Sequence, residues 1–284
     1  MINVKQYDLD MKHVDIVAVY DFDKQEIADE YKHIGEVKDS NRVKWSELDQ
    51  EHKDFLNKNR SIQRTKTKVR RLVISQNMRY MWTLTFKHKF NIIKGIEKDA
   101  GNLEDAWAMW SAFIKRCKRA GLNFKYIVTV EMQEKRLEKY GEAVYHFHFV
   151  TDQSLAVNEK KAKQMKVDVN ISDLWGHGYV FVSSSIQGKS FAARYITKYI
   201  TKMFDEIGKA SHRYRCSLGM VIPCDKMRFK SELELDLYVN EIASRQGLEL
   251  HKEYYPIMDG NIEVLVYILR PKYRPPNNKP NWRK

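Results

Sequence analysis

The sequence predicts an α+β fold built on an antiparallel β-sheet, and three observations lead to it. Several short segments are β-branched or aromatic and alternate in polarity, as strands with one buried face do. Amphipathic segments with the 3.6-residue period of helices lie between them. From residue 80 to residue 204 these segments follow one another in the order β-α-β-β-α-β, with a further helix at the end.

Each element of this order has a local reason. Alternation and β-propensity predict four strands, at 80–86, 124–131, 143–150 and 178–184. A helix is predicted over 102–121, because Asn102 is placed as an N-cap and Gly121 is placed to end it. A short helical region runs through 173–175, and a longer helix covers 190–204. This order is that of an RRM-like or ferredoxin-like core, with helices on one face of the sheet.

The segments on either side of this core are predicted as extensions. Their predicted elements are a strand at 15–22, helices at 44–59 and 231–247, and a strand at 262–270. The tail PKYRPPNNKPNWRK is basic and contains proline, so it is predicted to be disordered. We therefore expect an N-terminal extension (1–63), a core domain (64–222) and a C-terminal extension (223–284).

Composition narrows the class of protein. Lys and Arg together number 50 against 37 Asp and Glu, and the net charge of +13 favours a polyanionic partner. Nucleic acid is the first candidate, and an anionic membrane surface is the second. Three cysteines without a C-x-x-C pair argue against a disulfide scaffold. With no signal peptide and no apolar run that could span a membrane, we expect a soluble, intracellular protein.

The run RSIQRTKTKVRR (60–71) contains six basic residues and no acidic residue. Such a run is usually a solvated face or a flexible segment, but in a basic protein it is also a candidate phosphate contact. The DNA-binding candidates in and beside this run are Arg64, Lys66, Lys68, Arg70 and Arg71.

The strand AVYHFHFV (143–150) contains two histidines in an apolar run. Alternate side chains of a strand lie on opposite faces, so His146 and His148 share one face and the aromatic residues share the core face. Two hydrogen-bonded or solvent-facing histidines would be the ordinary outcome, but imidazoles at this spacing can also bind one ion. Glu131 ends the neighbouring strand and would meet them if the two strands pair. Two histidines and one carboxylate leave coordination positions open, as a catalytic metal requires.

The helix at 190–204 contains the unit Y-I-T-K twice in tandem. Tyr195 and Tyr199 are four residues apart and share one face, and Lys198 and Lys202 each follow a tyrosine by three residues. An amphipathic helix with boundary tyrosines is the alternative interpretation. A phenol with a pKa of about 10 is a poor nucleophile unless it is assisted. A metal on a scissile phosphate and a neighbouring lysine would assist it, and the product would be a phosphotyrosine link to one DNA end.

Together these segments resemble the HUH endonucleases, in which U is a hydrophobic residue. The resemblance is to the rolling-circle replication initiators with two tyrosines, found in small single-stranded-DNA phages and related bacterial plasmids and elements. Three segments match the family motifs in the family's order: TLTF (83–86), HFH (146–148) and YITKYITK (195–202).

The resemblance implies an RRM-like sheet with Mn²⁺ or Mg²⁺ bound by His146, His148 and Glu131, and nicking of single-stranded origin DNA. One tyrosine would keep the 5′-phosphate, the freed 3′-OH would prime synthesis, and the other tyrosine would cut after a full circle. Tyr195, Tyr199 and their lysines are the implied catalytic residues. The implied partners are single-stranded DNA, its replication origin, and a host helicase and DNA polymerase in the bacterial cytoplasm.

Alternatives remain at this point. A two-tyrosine transposase would use the same chemistry on other DNA ends, and a non-catalytic origin-binding regulator would bind without cutting. His177, in WGHGYV, would join the site, contact DNA or simply be a loop or core histidine. The segment SSSIQGKS (183–190) ends like a P-loop, but Ser183 stands where the first glycine is required, so no ATPase is expected.

Overall fold

The computed structural model describes residues 2–21, 49–183, 188–206, 214–256 and 262–271. These residues belong to two compact units, one formed by residues 58–221 and the other by residues 1–57 together with 222–284. Parts of some predicted elements, including the predicted disordered tail, lie outside the described residues. None of the helices in the described ranges is long and apolar enough to cross a membrane.

The described elements alternate along the chain without long connections. The strands are β1 (Ile2–Asp10), β2 (His13–Asp21), β3 (Tyr80–Leu84), β4 (Phe90–Ile93), β5 (Ile96–Asp99), β6 (Tyr126–Met132), β7 (Tyr145–Thr151), β8 (Val180–Val182), β9 (Tyr214–Cys216), β10 (Asp225–Phe229), β11 (Leu248–Pro256) and β12 (Ile262–Pro271). The helices are α1 (Gln50–Ser75), α2 (Leu103–Arg119), α3 (Glu134–Tyr140), α4 (Glu159–Met165), α5 (Ile171–Trp175), α6 (Lys189–Glu206) and α7 (Glu232–Gln246).

The unit of residues 58–221 is built on a five-stranded sheet in the order β8-β3-β7-β6-β9. The paired strands are antiparallel throughout. The four predicted strands are present in the predicted order, so the α+β, ferredoxin-like fold is confirmed. Antiparallel neighbours place directly paired residues on the same face, which decides what each face of this sheet carries.

One face of this sheet is the hydrophobic core. Phe147 and Phe149 of β7 point into it and pack against the tryptophans of α2, with ring centroids 5.2 to 5.5 Å apart. Helix α2 begins as predicted, because the side chain of Asn102 accepts hydrogen bonds from the first free backbone N–H groups. Its buried residues are Ala106, Trp107, Met109, Trp110, Phe113 and Cys117.

The opposite face is covered by helix α6, which contacts β3, β6 and β7. Ala192, Ile196 and Ile200 are buried in this contact, as the apolar stripe of the helix predicts. The tyrosines of α6 therefore meet the same face of the sheet as the alternate residues of β7 that include both histidines. Strand β8, at the edge of the sheet, extends past this cover.

Two local predictions were wrong. The stretch between β6 and β7 is not a plain hairpin loop, because residues Glu134–Tyr140 form the short helix α3, which Gly141 ends at a φ of 67°. The basic run is not a separate segment, because helix α1 continues through it to Ser75. The last turns of α1 bury Val69, Leu72 and Val73, so core contacts stabilise the helix where its charges alone would not.

Gly178 brings β8 close to the end of β3. A Cβ atom at this position would clash with the carbonyl oxygen of Thr85 and lie 2.6 Å from the backbone nitrogen of Lys87. Only glycine leaves space for this approach, which places Tyr179 directly beside Thr85.

The second unit contains another five-stranded antiparallel sheet, in the order β10-β1-β2-β12-β11. The segments that the sequence predicted as two separate extensions thus contribute strands to one sheet. Its core consists of aliphatic residues of β1 and β2 against helix α7, whose Leu235, Val239 and Ala243 are buried. Helix α7 is bounded as predicted, by Ser231 as N-cap and Gly247 in the left-handed conformation.

Candidate metal centre and tyrosine site

Strand pairing brings together the three predicted metal ligands. Glu131 of β6 lies directly opposite His146 of β7, and Thr129 lies opposite His148. These residues share the face that α6 covers. The Nε2 atoms of His146 and His148 lie 2.8 and 2.9 Å from Oε2 of Glu131, and 3.1 Å from each other.

This triangle of donor atoms fits a divalent cation. Three neighbouring ligands, each about 2.1 Å from an octahedral ion, are about 3.0 Å from one another. The three observed separations are close to that value, and each residue offers one lone-pair atom to the same point. Two imidazoles and one carboxylate form a mixed nitrogen and oxygen set, which suits several divalent transition metals. The triangle alone does not decide the identity of the metal.

Lys202 holds the other carboxylate oxygen of Glu131. Its Nζ donates to Oε1 at 2.6 Å, so Oε2 is left to the two histidines. Burial alone would raise the pKa of Glu131, but hydrogen bonds from His146, His148 and Lys202 outweigh it and hold that pKa well below its usual range. Glu131 is therefore a carboxylate at neutral pH, which is the form that binds a cation.

Each histidine is oriented through its second ring nitrogen. Nδ1 of His146 lies 3.2 Å from Nε2 of Gln133, and the amide of Gln133 can either donate or accept depending on its rotation. Nδ1 of His148 lies 2.8 Å from the hydroxyl of Tyr195 and 3.1 Å from that of Thr83. Outer contacts of this kind fix the ring and the tautomer of a metal ligand. Burial lowers the pKa of His148 to about 4, so its imidazole is neutral at physiological pH.

The two tyrosines of α6 meet the triad in different ways. The ring of Tyr199 stacks on that of His148, with centroids 3.5 Å apart and planes 14° apart, and Tyr199 lines an open cleft. Tyr195 is absent from the cleft lining, and its hydroxyl is hydrogen-bonded to His148 and, at 3.0 Å, to Thr83. Burial raises the pKa of Tyr195 well above its ordinary value. Burial and the charge of Glu131 raise the pKa of Tyr199.

The cleft beside the triad has a volume of about 960 Å³ and is lined by charged side chains. Its cationic lining residues are Lys87, Arg136, Lys139, Lys198 and Lys202, and its acidic ones are Glu131, Glu134 and Glu142. Glu142 is paired with Arg136 at 2.7 Å, and Glu131 is paired with Lys202. The ammonium of Lys198 lies 5.5 Å from the ring centroid of Tyr199. A cleft with this excess of cations suits a phosphate backbone.

The basic run of α1 provides a mixed set of side chains. Arg64 and Lys68 are exposed, and Lys66 and Arg70 are partly buried. Arg71 is 9% exposed and counts among the buried residues, so it is corrected from a DNA contact to a residue of the interior. The helical spacing explains the difference, since Arg71 lies on the side of α1 that carries Leu72 and the other apolar residues of its last turns.

His177 lies in a different environment from the triad. Its ring packs against Trp175 and Phe86, and its Nε2 lies 3.3 Å from a guanidinium nitrogen of Arg116. Arg116 also donates to the carbonyl oxygens of Leu174 and Trp175, so the group ties α2 to α5. Burial, and then the charge of Arg116, lower the pKa of His177 to about 4. These contacts belong to the core side of the sheet, and a structural role is the simpler account.

Two residues of the site were missed by the sequence analysis. Thr83 pairs with His148 across β3 and β7, and its position in the TLTF segment, on the alternate set of β3, is a signal that could have found it. Gln133 follows β6 at the start of α3, and no local pattern in the sequence marks it. Its contact with His146 depends on the turn between β6 and β7.

Comparison with known proteins gives one match. Residues 79–204 match the model of a family of replication-associated proteins, the ORF2 family. The matched range begins just before β3, ends in α6, and includes the triad, Thr83 and both tyrosines. No curated protein and no solved structure matched the chain. The family match supports a replication initiator, and with it DNA binding at an origin and endonuclease activity in general.

Proposed function

We propose that this protein is an HUH-type rolling-circle replication initiator, which nicks and rejoins single-stranded origin DNA. One observation carries the proposal: the donor atoms of Glu131, His146 and His148 converge within 3.1 Å, with Tyr199 stacked on one of the histidines. The match to the replication-associated family over the same elements supports the biological role.

Glu131, His146 and His148 would hold the divalent ion. Mn²⁺ fits this set better than Mg²⁺, because Mg²⁺ strongly prefers oxygen ligands and two of the three donors are imidazole nitrogens. When bound, the ion would polarise the scissile phosphate and offset part of its negative charge. Gln133, Thr83, Tyr195 and Lys202 keep the three ligands in place.

Tyr199 is the proposed nucleophile for the first cut, because it lines the open cleft next to the triad. Its phenolic oxygen forms a bond to phosphorus while the bond from phosphorus to O3′ breaks, and O3′ takes up a proton to become the primer hydroxyl. The DNA 5′-phosphate stays on the tyrosine. Since its raised pKa keeps the phenol protonated, the proton must leave, to water in the cleft, as the attack proceeds. The ammonium groups of Lys198 and Lys202 stabilise the developing charge.

The reaction exchanges one phosphate ester for another, so it needs no ATP and can run backwards to join strands. Tyr195 is the proposed second nucleophile. In the arrangement described here its hydroxyl instead positions His148, with Nδ1 of that histidine at 2.8 Å. We infer that Tyr195 takes its turn only when this hydrogen bond breaks, which makes the two tyrosines unequal in the first round.

An adduct assay tests this proposal. Labelled single strands tiled across the DNA element that encodes the chain are incubated with the protein and either Mn²⁺ or EDTA, then run on a denaturing gel. We expect a slow, Mn²⁺-dependent band that Tyr199→Phe removes on first-cleavage substrates and that Tyr195→Phe reduces about 10- to 100-fold, as for loss of an outer contact to a metal ligand. The double variant should form none.

Tyr140→Phe is the matched control, since Tyr140 lines the same cleft and is 63% exposed but lies on α3. It should react like the wild type. Tight binding with no adduct on any strand would overturn the nicking proposal and leave a regulator that binds origin DNA. An adduct that forms only on the ends of a mobile element would identify a transposase of the same chemistry.

A further inference from the structure

Strand β8 exposes two aromatic rings at the edge of the sheet in the 58–221 unit. Tyr179, which directly precedes the strand, is 60% exposed, and Phe181 within it is 57% exposed. Their ring centroids are 6.4 Å apart, so the rings form one continuous apolar surface. Large aromatic side chains at this exposure are informative, because burial of such groups is strongly favourable and they ordinarily face the interior.

These rings lie on the same face as the metal triad. Phe181 is directly opposite Thr83, and Thr83 is directly opposite His148, so the three residues form one row across β8, β3 and β7. Tyr179 continues the row that contains Thr85, to which its backbone is hydrogen-bonded. With strands about 4.8 Å apart, two steps across the sheet place Phe181 about 10 Å from the backbone of His148.

The surroundings of the rings connect them to the cationic cleft. Helix α6 covers β3, β6 and β7 and leaves the rings of β8 open. Lys87, at the end of β3, is exposed and lines the cleft that holds Tyr199. Its backbone N–H donates to the carbonyl oxygen of His177, two residues before Tyr179. A bound strand could therefore pass from aromatic surface to cationic surface without leaving this face.

We propose that Tyr179 and Phe181 form a base-stacking site for the single-stranded DNA that leads into the cleft; the inference rests on the function proposed above. Proteins that bind single strands combine a positively charged groove with aromatic side chains on which bases stack, and both components are present here on one face. Stacking holds any base, so this site adds affinity and alignment of the strand with little sequence preference.

The test is a binding measurement that needs no cleavage. A fluorescent oligothymidine of about 20 nucleotides, longer than the site of a single binding module, is titrated with the full chain in EDTA, and anisotropy is followed at several salt concentrations. Phe181→Ala and Tyr179→Ala should each weaken binding about tenfold, with the slope of log affinity against log salt unchanged. Phe181→Trp should restore affinity, which a merely misfolded variant could not do. Phe90→Ala, which removes a 55% exposed ring from the separate β4–β5 hairpin, should bind like the wild type.

Abasic nucleotides make the test specific for stacking. Single abasic sites are moved along the oligonucleotide, and at one or two positions they should weaken wild-type binding about tenfold. At those positions they should add nothing to the loss in Phe181→Ala, because the ring and the base remove the same contact.

The outcomes separate the two proposals. Normal adduct formation with unchanged affinity in both alanine variants would overturn the stacking site and leave the nickase standing. Ring-dependent binding without any adduct would support the stacking site and count against the nickase. A loss of self-association on light scattering, with DNA affinity unchanged, would overturn the stacking site in favour of a contact between two copies through the β8 edge.

Discussion

The two five-stranded sheets have similar architecture and very different interiors. The sheet of the 58–221 unit buries Thr129, Glu131 and His148 on its central strands, with 8% exposure or less. The sheet of the other unit fills its central strand β2 with Val14, Ile16 and Ala18, each 1% exposed or less. Asp15 is the one buried polar or charged residue found among the described residues of that second unit.

This difference indicates where the chemistry lies. Burying a carboxylate and an imidazole is unfavourable unless both are hydrogen-bonded, so a fold gains no stability from placing them on central strands. In the 58–221 unit the buried polar groups satisfy one another and meet the tyrosine helix. In the second unit the sheet interior is made for stability, and its charges are carried on the outside by residues such as Lys5, Lys226 and Arg228.

The largest expected effect separates catalysis from stability. His148→Ala should slow adduct formation at least roughly 1,000-fold, because it removes a metal ligand and the ring on which Tyr199 stacks. Ile16→Ala should lower the free energy of unfolding by roughly 2–5 kcal/mol and leave adduct formation by the folded protein unchanged. Adduct gels and urea denaturation of the same preparations check both. Loss of adduct formation in folded Ile16→Ala protein would break the comparison between the sheets.

A smaller effect sharpens the account of the triad. Lys202→Ala should weaken Mn²⁺ binding about 10- to 100-fold, since Lys202 orients the carboxylate of Glu131 from outside the triangle. Lys198→Ala is the matched control one turn earlier on α6, and it should leave Mn²⁺ affinity unchanged while slowing adduct formation. Isothermal titration calorimetry with Mn²⁺ measures the affinity. Equal losses of affinity in both variants would show that only the general charge of the cleft matters.

The pH dependence of stability tests whether His177 belongs to the interior. Its folded pKa of about 4 lies below the ordinary value of 6.5, so the unfolded state takes up the proton first as the pH falls. Stability that is present above pH 6.5 should therefore decline as the pH falls towards 4, by about 1–2 kcal/mol for a partly exposed ring.

His177→Asn should lack this part of the decline and keep the wild-type affinity for oligothymidine. Urea denaturation from neutral pH down to about pH 4 and the anisotropy titration provide the two measurements. A large loss of DNA affinity, with an unchanged pH profile, would return His177 to the DNA-binding surface.

The smallest effect is expected on the outer face of the second sheet. Lys5 and Lys226 lie directly opposite each other on β1 and β10, and like charges in this position repel. Lys226→Glu should therefore raise the free energy of unfolding by roughly 0.2–1 kcal/mol in low salt, and less in high salt. Lys12→Glu, in the exposed turn between β1 and β2, changes the net charge equally and should have no such effect. Equal shifts in the two variants would assign the effect to net charge.

Much of the 58–221 unit follows from local patterns. The alternation in AVYHFHFV predicts that both histidines share a face, and the capping residues Asn102 and Gly121 predict the limits of α2. The second sheet was largely missed for two physical reasons. Its strands come from opposite ends of the chain, so no local signal records their pairing. In β1 a register shift between Asp8 and Asp10 also breaks the alternation, so buried Leu9 is out of step with Ile2 and Val4.

The sequence by itself determined the types of group in the candidate site and their faces, because the periods of strands and helices are local properties of the chain. It placed the two histidines together on β7 and the two tyrosines together on α6. Only the tertiary structure decided what these sets touch. The pairing of β6 with β7 brings Glu131 to the histidines, and the packing of α6 brings Lys202 to Glu131. The same packing joins Tyr195 to His148 and leaves Tyr199 on the cleft, because the angle and depth of a packed helix depend on distant side chains that no local pattern records.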